Sequence, residues 1–488
     1  MFIILFIFLL SIPLPLFALD EFRGVQNLKP ESSGINKIVN IELVQDKDKS
    51  QIIIELSKPL EKLPVLMSTL ETVTFDVESI YEDGEKKKSE IISDSLENNF
   101  INKVSWVKNP SNTSFEVKRV HYSPVEFKKE SEQNLLIVEF PRKYFVKEST
   151  VLKPGIIKHF IRTEVERGPI VANALEIDLS NENISLKAIL PNRSKIKGKE
   201  SLSKLVKDEM AFAGINANYF DVKMGNPLGA FITDGSWVTG PILNRAAIGF
   251  TENNDVFIDQ VKLTGKASIY RGFRKKLHSM FEIDGLNTPF GLYKKVGFFT
   301  SDFDSELSLP KGKEAILVKE GCVKKIESRS VEIPEDGYVL LSSDIYHFDD
   351  LKKKDCLKID WESIPNWSNV VEAVSGGPYL IMNGEIYIDQ EEQRFKFSSK
   401  DAFAPRSAIG IGKNGKLYLV TIDGRKYGYS VGATFQELAE ILKKLNLKEA
   451  INLDGGGSTT LVANGEVVNT LSEHHERKIS NALLIFYK

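Results

Sequence analysis

The sequence predicts an α+β protein: an N-terminal antiparallel β-sandwich followed by a mixed α/β domain with pseudo-duplicated helix–strand units. Three observations carry that expectation. From Ile38 to about Arg142, short alternating runs ("QIIIEL", "ETVTFDV", "FEVKRVHY", "NLLIVEF") are separated by polar turns, which is sandwich grammar. Further on, two runs with helical spacing, "SLSKLVKDEMA" and "TFQELAEILKKLNL", each feed an apolar strand. Those strands end alike, in Ile215-Asn216-Ala217-Asn218 and Ile451-Asn452-Leu453-Asp454. Finally, Arg245-Ala246-Ala247-Ile248-Gly249 is echoed by Arg406-Ser407-Ala408-Ile409-Gly410, each opening a hairpin pattern.

The chain starts with "MFIILFIFLLSIPLPLFALD". Pro13 and Pro15 break this apolar run before it reaches bilayer-spanning length, and it ends at Ala18. Residues 1–18 therefore read as a signal peptide, and the protein is expected to be exported to the periplasm or the exterior. No Lys or Arg precedes the run, which leaves a retained membrane anchor as the second reading. With 488 residues and 42% hydrophobic content, the chain supports a sizeable core and two or three domains. A net charge of −3 supplies no basic face of the kind nucleic acid needs.

The sandwich is expected over residues 36–145. No cluster of His, Cys or carboxylates in it suggests chemistry. A hinge is expected at 151–155 and the second domain over 155–488. In that domain Leu202, Leu205, Val206 and Met210 share one helical face. Thr434 and Glu437 form a capping box ahead of the stripe Phe435, Leu438, Leu442 and Leu445. A Lys-rich, strand-patterned insert at about 255–360 belongs to the same domain. Cys322 and Cys356 fall in no metal-type spacing, and their sequence positions alone do not decide whether they pair.

Strand ends are where folds of this class place ligand groups. After Asp454 come Gly455, Gly456 and Gly457, then Ser458 and Thr459. Three adjacent glycines cost backbone entropy, so close approach to that backbone is expected. The run lacks the Lys and spacing of a P-loop, but it offers backbone N–H groups and hydroxyls to an anion, with a carboxylate at the edge. In "NANYFD", which starts at Asn216, both Asn218 and Asp221 are expected to present polar ends over an aromatic floor of Tyr219 and Phe220 that suits a sugar. Arg406, behind a proline, is placed to clamp a phosphate. Gly376 and Gly377 supply a second glycine pair beside the run. His474 and His475 are adjacent, and neither is expected to act.

Together "GINANYFD", "GNPLGAFITDGSWV", "RAAIGF", "AVSGGPYLIMNGE", "PRSAIGIGKNGKLYLVTIDGR" and "INLDGGGSTTLVANGEVVN" resemble the phosphodiester glycosidase family, over about residues 174–487. A histidine is common in that family just before the Pro-Arg pair, and Ala404 stands there in this chain. The earlier segment is similar to the AMIN domain of exported envelope proteins, through "I-I-I-E-L", "V-T-F-D-V" and "L-I-V-E-F". The first resemblance implies hydrolysis of a sugar-1-phosphodiester at the glycosidic C–O bond. Asp454, Asp221 and Arg406 would then be the catalytic groups. Asn216, Asn218, Gly376, Gly377, Gly455, Gly456, Gly457, Ser458 and Thr459 would hold the substrate. The second resemblance implies binding of cell-wall or envelope polymer. No cofactor is called for, and a divalent metal stays compatible with the sequence. Two other functions compete: a non-catalytic envelope polysaccharide-binding protein, and a phosphodiesterase cutting P–O.

Overall fold

The computed structural model describes residues 36–81, 88–92, 100–192, 195–272, 275–343, 348, 351–395 and 402–488. The signal-peptide segment lies outside the described residues. Two α-helices occur among the described residues, Leu202–Asp208 and Phe435–Lys444; nearly all other regular structure is β-strand.

The N-terminal region is two five-stranded sheets. One is ordered Ile80–Tyr81, Lys37–Gln45, Lys49–Leu56, Leu135–Pro141, Glu126–Glu130. The other is ordered Leu66–Ser68, Thr72–Val77, Thr113–Arg119, Ile101–Lys108, Lys88–Ile92. Alternation aims one face of each strand inward. Ile52, Ile54, Leu136 and Val138 from the first sheet share a core with Val73, Phe75, Phe115 and Val117 from the second.

Beyond it the expected mixed α/β architecture is overturned, and with it the α+β class. Strands Ala213–Asn216 and Leu447–Asn452 do follow the two helices, but they lie in different sheets and pair antiparallel with their neighbours. Helical spacing was legible in each short run, except that the first helix stops at Asp208 and leaves Met210, expected on its buried face, exposed at φ 55 beyond the helix end. What it could not show is that the helices, of 7 and 10 residues, are single pieces laid on sheets rather than crossovers of a parallel βαβ array. Helix Phe435–Lys444 carries the capping box Thr434–Glu437 and buries Phe435, Leu438, Ala439, Ile441 and Leu442.

One eight-stranded sheet forms the frame of this region. Its order is Phe145–Lys153, Ile156–Val165, Gly168–Ile177, Leu417–Ile422, Arg406–Gly412, Leu447–Asn452, Tyr379–Met382, Glu385–Ile386. The 151–155 segment is the turn of its first hairpin, where Lys153 faces Ile156. A five-stranded sheet packs on one side, in the order Ile184–Ile189, Ala482–Tyr487, Ala213–Asn216, Leu461–Ala463, Glu466–Val467. Leu175, Ile215, Ile409, Leu419, Ile451, Leu461 and Leu483 are part of the shared core. The other face is covered by helix Phe435–Lys444.

The inserted segment builds a second eight-stranded sheet with its own core, including Ala267, Ile269, Val296, Ile316 and Leu340. In it Cys322 and Cys356 are cross-strand partners and form a disulfide.

Candidate active site

Strands Ala213–Asn216 and Leu447–Asn452 end side by side, and the polar residues that follow are knotted together. The Asn216 side chain donates to the Asp454 carbonyl at 2.6 Å and accepts from Ser407 Oγ at 2.8 Å and from the Thr460 amide at 3.1 Å. The Asp454 amide donates to the Ala217 carbonyl at 3.0 Å. Asn218 Oδ1 accepts from the Ser375 amide at 2.8 Å, and the Asn218 amide donates to Asn481 Oδ1 at 2.7 Å. Asn452 Nδ2 donates to the Tyr219 hydroxyl at 2.7 Å, which itself donates to the Gly377 carbonyl at 3.1 Å. Asn216, Asn218, Asn452 and Ser407 are buried, so this knot replaces water and fixes the loops. Both predicted asparagines thus hold the backbone in place.

Asp454 itself is half-buried at the end of this scaffold. Burial pushes its carboxyl up to about 6, opposed by Ser458, the Arg477 charge, the Gly455 N–H and the Arg245 charge. The Ser458 hydroxyl lies against the carboxylate, close enough to lower its pKa though short of full hydrogen-bond geometry. The hydroxyls of Ser458, Thr459 and Thr460 and the Oδ1 of Asn452 are buried with no hydrogen-bond partner among the described residues. Four orphan polar atoms on residues within six positions of Asp454 in the chain, one of them on Ser458 against its carboxylate, mark a place that takes water or ligand.

The glycine run now has a physical explanation. The N–H of Gly456 is taken by the Pro405 carbonyl at 2.8 Å, and those of Ser458 and Thr459 turn back on Gly455 and Gly456. The expected row of anion-facing amides is therefore largely spent within the fold. What the glycines provide is close approach: of the Pro405 carbonyl at Gly455 and of a side-chain ion pair at Gly457. A Cβ on Gly457 would collide with the Arg477 guanidinium and Glu473, and one on Gly456 would lie 3.4 Å from Arg425. Gly456 also has φ +63, a conformation glycine adopts without strain. Gly376 is required because a Cβ there would strike the Asn452 carbonyl.

The other predicted residues fall in different places. Arg406 is buried; its Nε donates to the Ala433 carbonyl at 2.9 Å and its Nη2 to the Ala402 carbonyl at 2.6 Å, while its guanidinium covers the Phe435 ring at 4.2 Å. Those donors are committed to the backbone. Asp221 Oδ1 accepts from the amides of Lys223 and Met224, both at 2.8 Å, so the carboxylate closes its own turn. His474 and His475 are exposed.

Three arginines were not singled out for a role: Arg245, Arg425 and Arg477. The Arg245 guanidinium lies 4.9 Å from the Tyr219 ring centre and 4.5 Å from that of Phe395. Its side chain has no hydrogen-bond or ion-pair partner among the described residues, and its charge acts on Asp454. The one sequence signal for it is the echo between "RAAIG" and "RSAIG". Among the described residues, no three His, Cys, Asp or Glu side chains gather as a metal-holding group.

An antiparallel β scaffold that presents a carboxylate among arginines and orphan hydroxyls defines a class of anion-handling site. The sequence match is specific: residues 313–486 fit the phosphodiester glycosidase family model, which bears out the resemblance over that stretch. The human N-acetylglucosamine-1-phosphodiester alpha-N-acetylglucosaminidase is 38% identical over 113 residues, covering 21% of this chain and 22% of the relative. The Bos taurus protein of the same description is 37% identical over 113 residues, with 21% of each chain covered. The chain thus spans about a fifth of the length of the curated relatives it matches. A solved structure from Synechocystis, described as a hypothetical protein, aligns at a TM-score of 0.64 with 19% identity, over 93% of this chain and 81% of that one. That likeness shows the fold alone.

Proposed function

We propose that this protein is an exported hydrolase that cuts the glycosidic C–O bond of a sugar-1-phosphodiester, releasing the sugar and a phosphate monoester. Asp454 carries the reading. It is a carboxylate with its pKa raised by burial, set beside the ring-stacked, unpaired cation Arg245, inside the stretch that matches phosphodiester glycosidases.

The chemistry fits those groups. A phosphate leaving group departs as a stable anion and needs little protonation, so the main demands are to hold it and to stabilise an oxocarbenium-like sugar. Arg245, resting against two adjoining rings with its guanidinium otherwise unpaired, suits the phosphate oxygens. Above a pH of about 6 Asp454 is an anion, able to stabilise the developing positive charge, to attack it or to take a proton from water. Tyr219 and Phe395 offer ring surface beside it. The N-terminal sheets, similar to the AMIN domain, are assigned to holding envelope polymer, which makes an envelope glycan phosphodiester the natural substrate.

Product analysis tests the proposal. A sugar-1-phosphodiester incubated with the protein should yield free sugar and a phosphate monoester. Sugar phosphate plus alcohol would mean P–O cleavage. Binding without turnover would mean a polysaccharide-binding protein.

A further inference from the structure

A cleft whose lining runs in the chain directly into Arg245 and Phe395 plays no part in the reaction as written. It encloses about 110 Å³ and is lined by Leu243, Asn244 and Arg394 together with Gly291, Tyr293 and Lys294 of the inserted segment. It touches the main site through the chain itself. Asn244 immediately precedes Arg245, and Arg394 immediately precedes Phe395, whose ring Arg245 covers. Neighbouring Cα atoms are about 3.8 Å apart, so the cleft and the Arg245 site share backbone at two places.

Two features indicate that the cleft is built for a ligand. Leu243, Asn244 and Arg394 have φ of 52°, 54° and 55°, so three non-glycine residues of the lining adopt the left-handed conformation. Strain of this kind persists where the surroundings impose it, and it gathers at ligand-holding positions. The charge is also one-sided. Lys294 and Arg394 are both exposed, and no acidic side chain lines the cleft.

We infer that this cleft binds a second anionic group, a phosphate or a carboxylate, carried by the part of the substrate beyond the reacting phosphate. The inference rests on the reading that the Asp454 site takes a sugar-1-phosphodiester. It makes the inserted segment part of substrate selection, since Lys294 comes from it. The preferred substrate is then one whose aglycone is itself charged, as in a repeating sugar-phosphate or acidic polymer.

The test uses three compounds that share one sugar-1-phosphate and differ in the aglycone: glycerol, glycerol phosphorylated at its far hydroxyl, and glycerate. They are compared with the wild-type protein and with the Lys294→Gln/Arg394→Gln double variant, both positions being exposed. The wild type should favour the anionic aglycones roughly tenfold in kcat/KM, through KM rather than kcat. The preference should shrink as salt is raised. The double variant should lose it while keeping wild-type activity on the glycerol compound. Preference for the phosphorylated compound alone supports the inference and assigns a phosphate; preference for glycerate alone assigns a carboxylate. Equal treatment of all three by the wild type, or an equal loss on all three in the variant, overturns it. If nothing is turned over, the reading of the main site fails. Calorimetric titration with the same compounds then decides the cleft: anionic preference lost in the variant supports it, and no preference overturns it.

Discussion

Each of the two β regions holds a largely enclosed arginine, and the two are used in opposite ways. Arg119, on the inner face of the N-terminal sheets, donates to the carbonyls of Leu70, Thr69 and Ser123 and to Ser68 Oγ. It is a bolt that ties a strand end to its neighbouring loops, and burial lowers its pKa to about 10. Arg245, in the second region, lies against the neighbouring rings of Tyr219 and Phe395 and has no acceptor among the described residues. Burial alone does not separate structure from function here. The acceptors do: a guanidinium whose hydrogen bonds are complete supports the fold, and one held in place without them awaits a ligand.

The largest expected effect that would sharpen this contrast is at Asp454. Asp454→Asn keeps the shape and removes the charge, and turnover should fall by several orders of magnitude, at roughly 1.4 kcal/mol of barrier per tenfold. Near-normal turnover in a folded variant would make the second region architecture like the first. Arg245→Gln comes next. It should cost about 10²–10³ in kcat/KM, the range for a lost charge-stabilising donor, with little change in melting temperature. Arg119→Gln should do the reverse. It leaves buried carbonyls without donors and should cost about 2–4 kcal/mol of stability in the N-terminal region, with kcat unaltered. If Arg119→Gln abolished activity in folded protein, or Arg245→Gln unfolded the chain, the comparison would break.

A smaller effect concerns pH. The Asp454 carboxyl binds its proton more tightly in the folded chain, at about 6, than its ordinary value of 3.8. Ionising it therefore costs stability as pH rises from about 4 through 6. Activity that needs the anion runs the other way and should fall as pH drops through about 6. Asp454→Asn should accordingly melt slightly higher than wild type at pH 7.5 and no higher at pH 4. Calorimetric scans at the two pH values check this; a variant equally shifted at both would detach the pKa from the stability.

The smallest effect expected is from removing the N-terminal region. The first strand of the second region's sheet starts at Phe145, so a chain of residues 145–488 keeps that sheet whole. It should retain kcat on a small soluble phosphodiester. Its stability should drop, because it uncovers Arg162, which packs on the Tyr122 ring at 4.4 Å, and Glu164, which lies 3.6 Å from His121. A folded but inactive fragment would show that the first region contributes to the site.

These residues also show what a sequence reveals. Asp454, Asn216 and Asn218 were legible because each ends an apolar strand after a helix with a clear stripe, and a polar residue there has a short list of uses. The hairpin from Arg406–Gly412 to Leu417–Ile422 was legible because its partners are near neighbours joined by an Asn-Gly turn. The antiparallel pairing of Arg406–Gly412 with Leu447–Asn452 was not, since it joins distant segments across the helix Phe435–Lys444. Arg245 was visible as half of an echo, but its meaning depends on Tyr219 and Phe395, which lie far apart in the chain. Arg406 and Asp221 have the right chemistry; the backbone partners that engage them appear only in three dimensions.

The central claim, attack at the sugar carbon with the phosphate leaving, is tested most directly by running the reaction in ¹⁸O-labelled water and analysing both products by mass spectrometry. The account predicts one heavy oxygen on the released sugar and none on the phosphate monoester. Label on the phosphate would place the cleavage at P–O and contradict it.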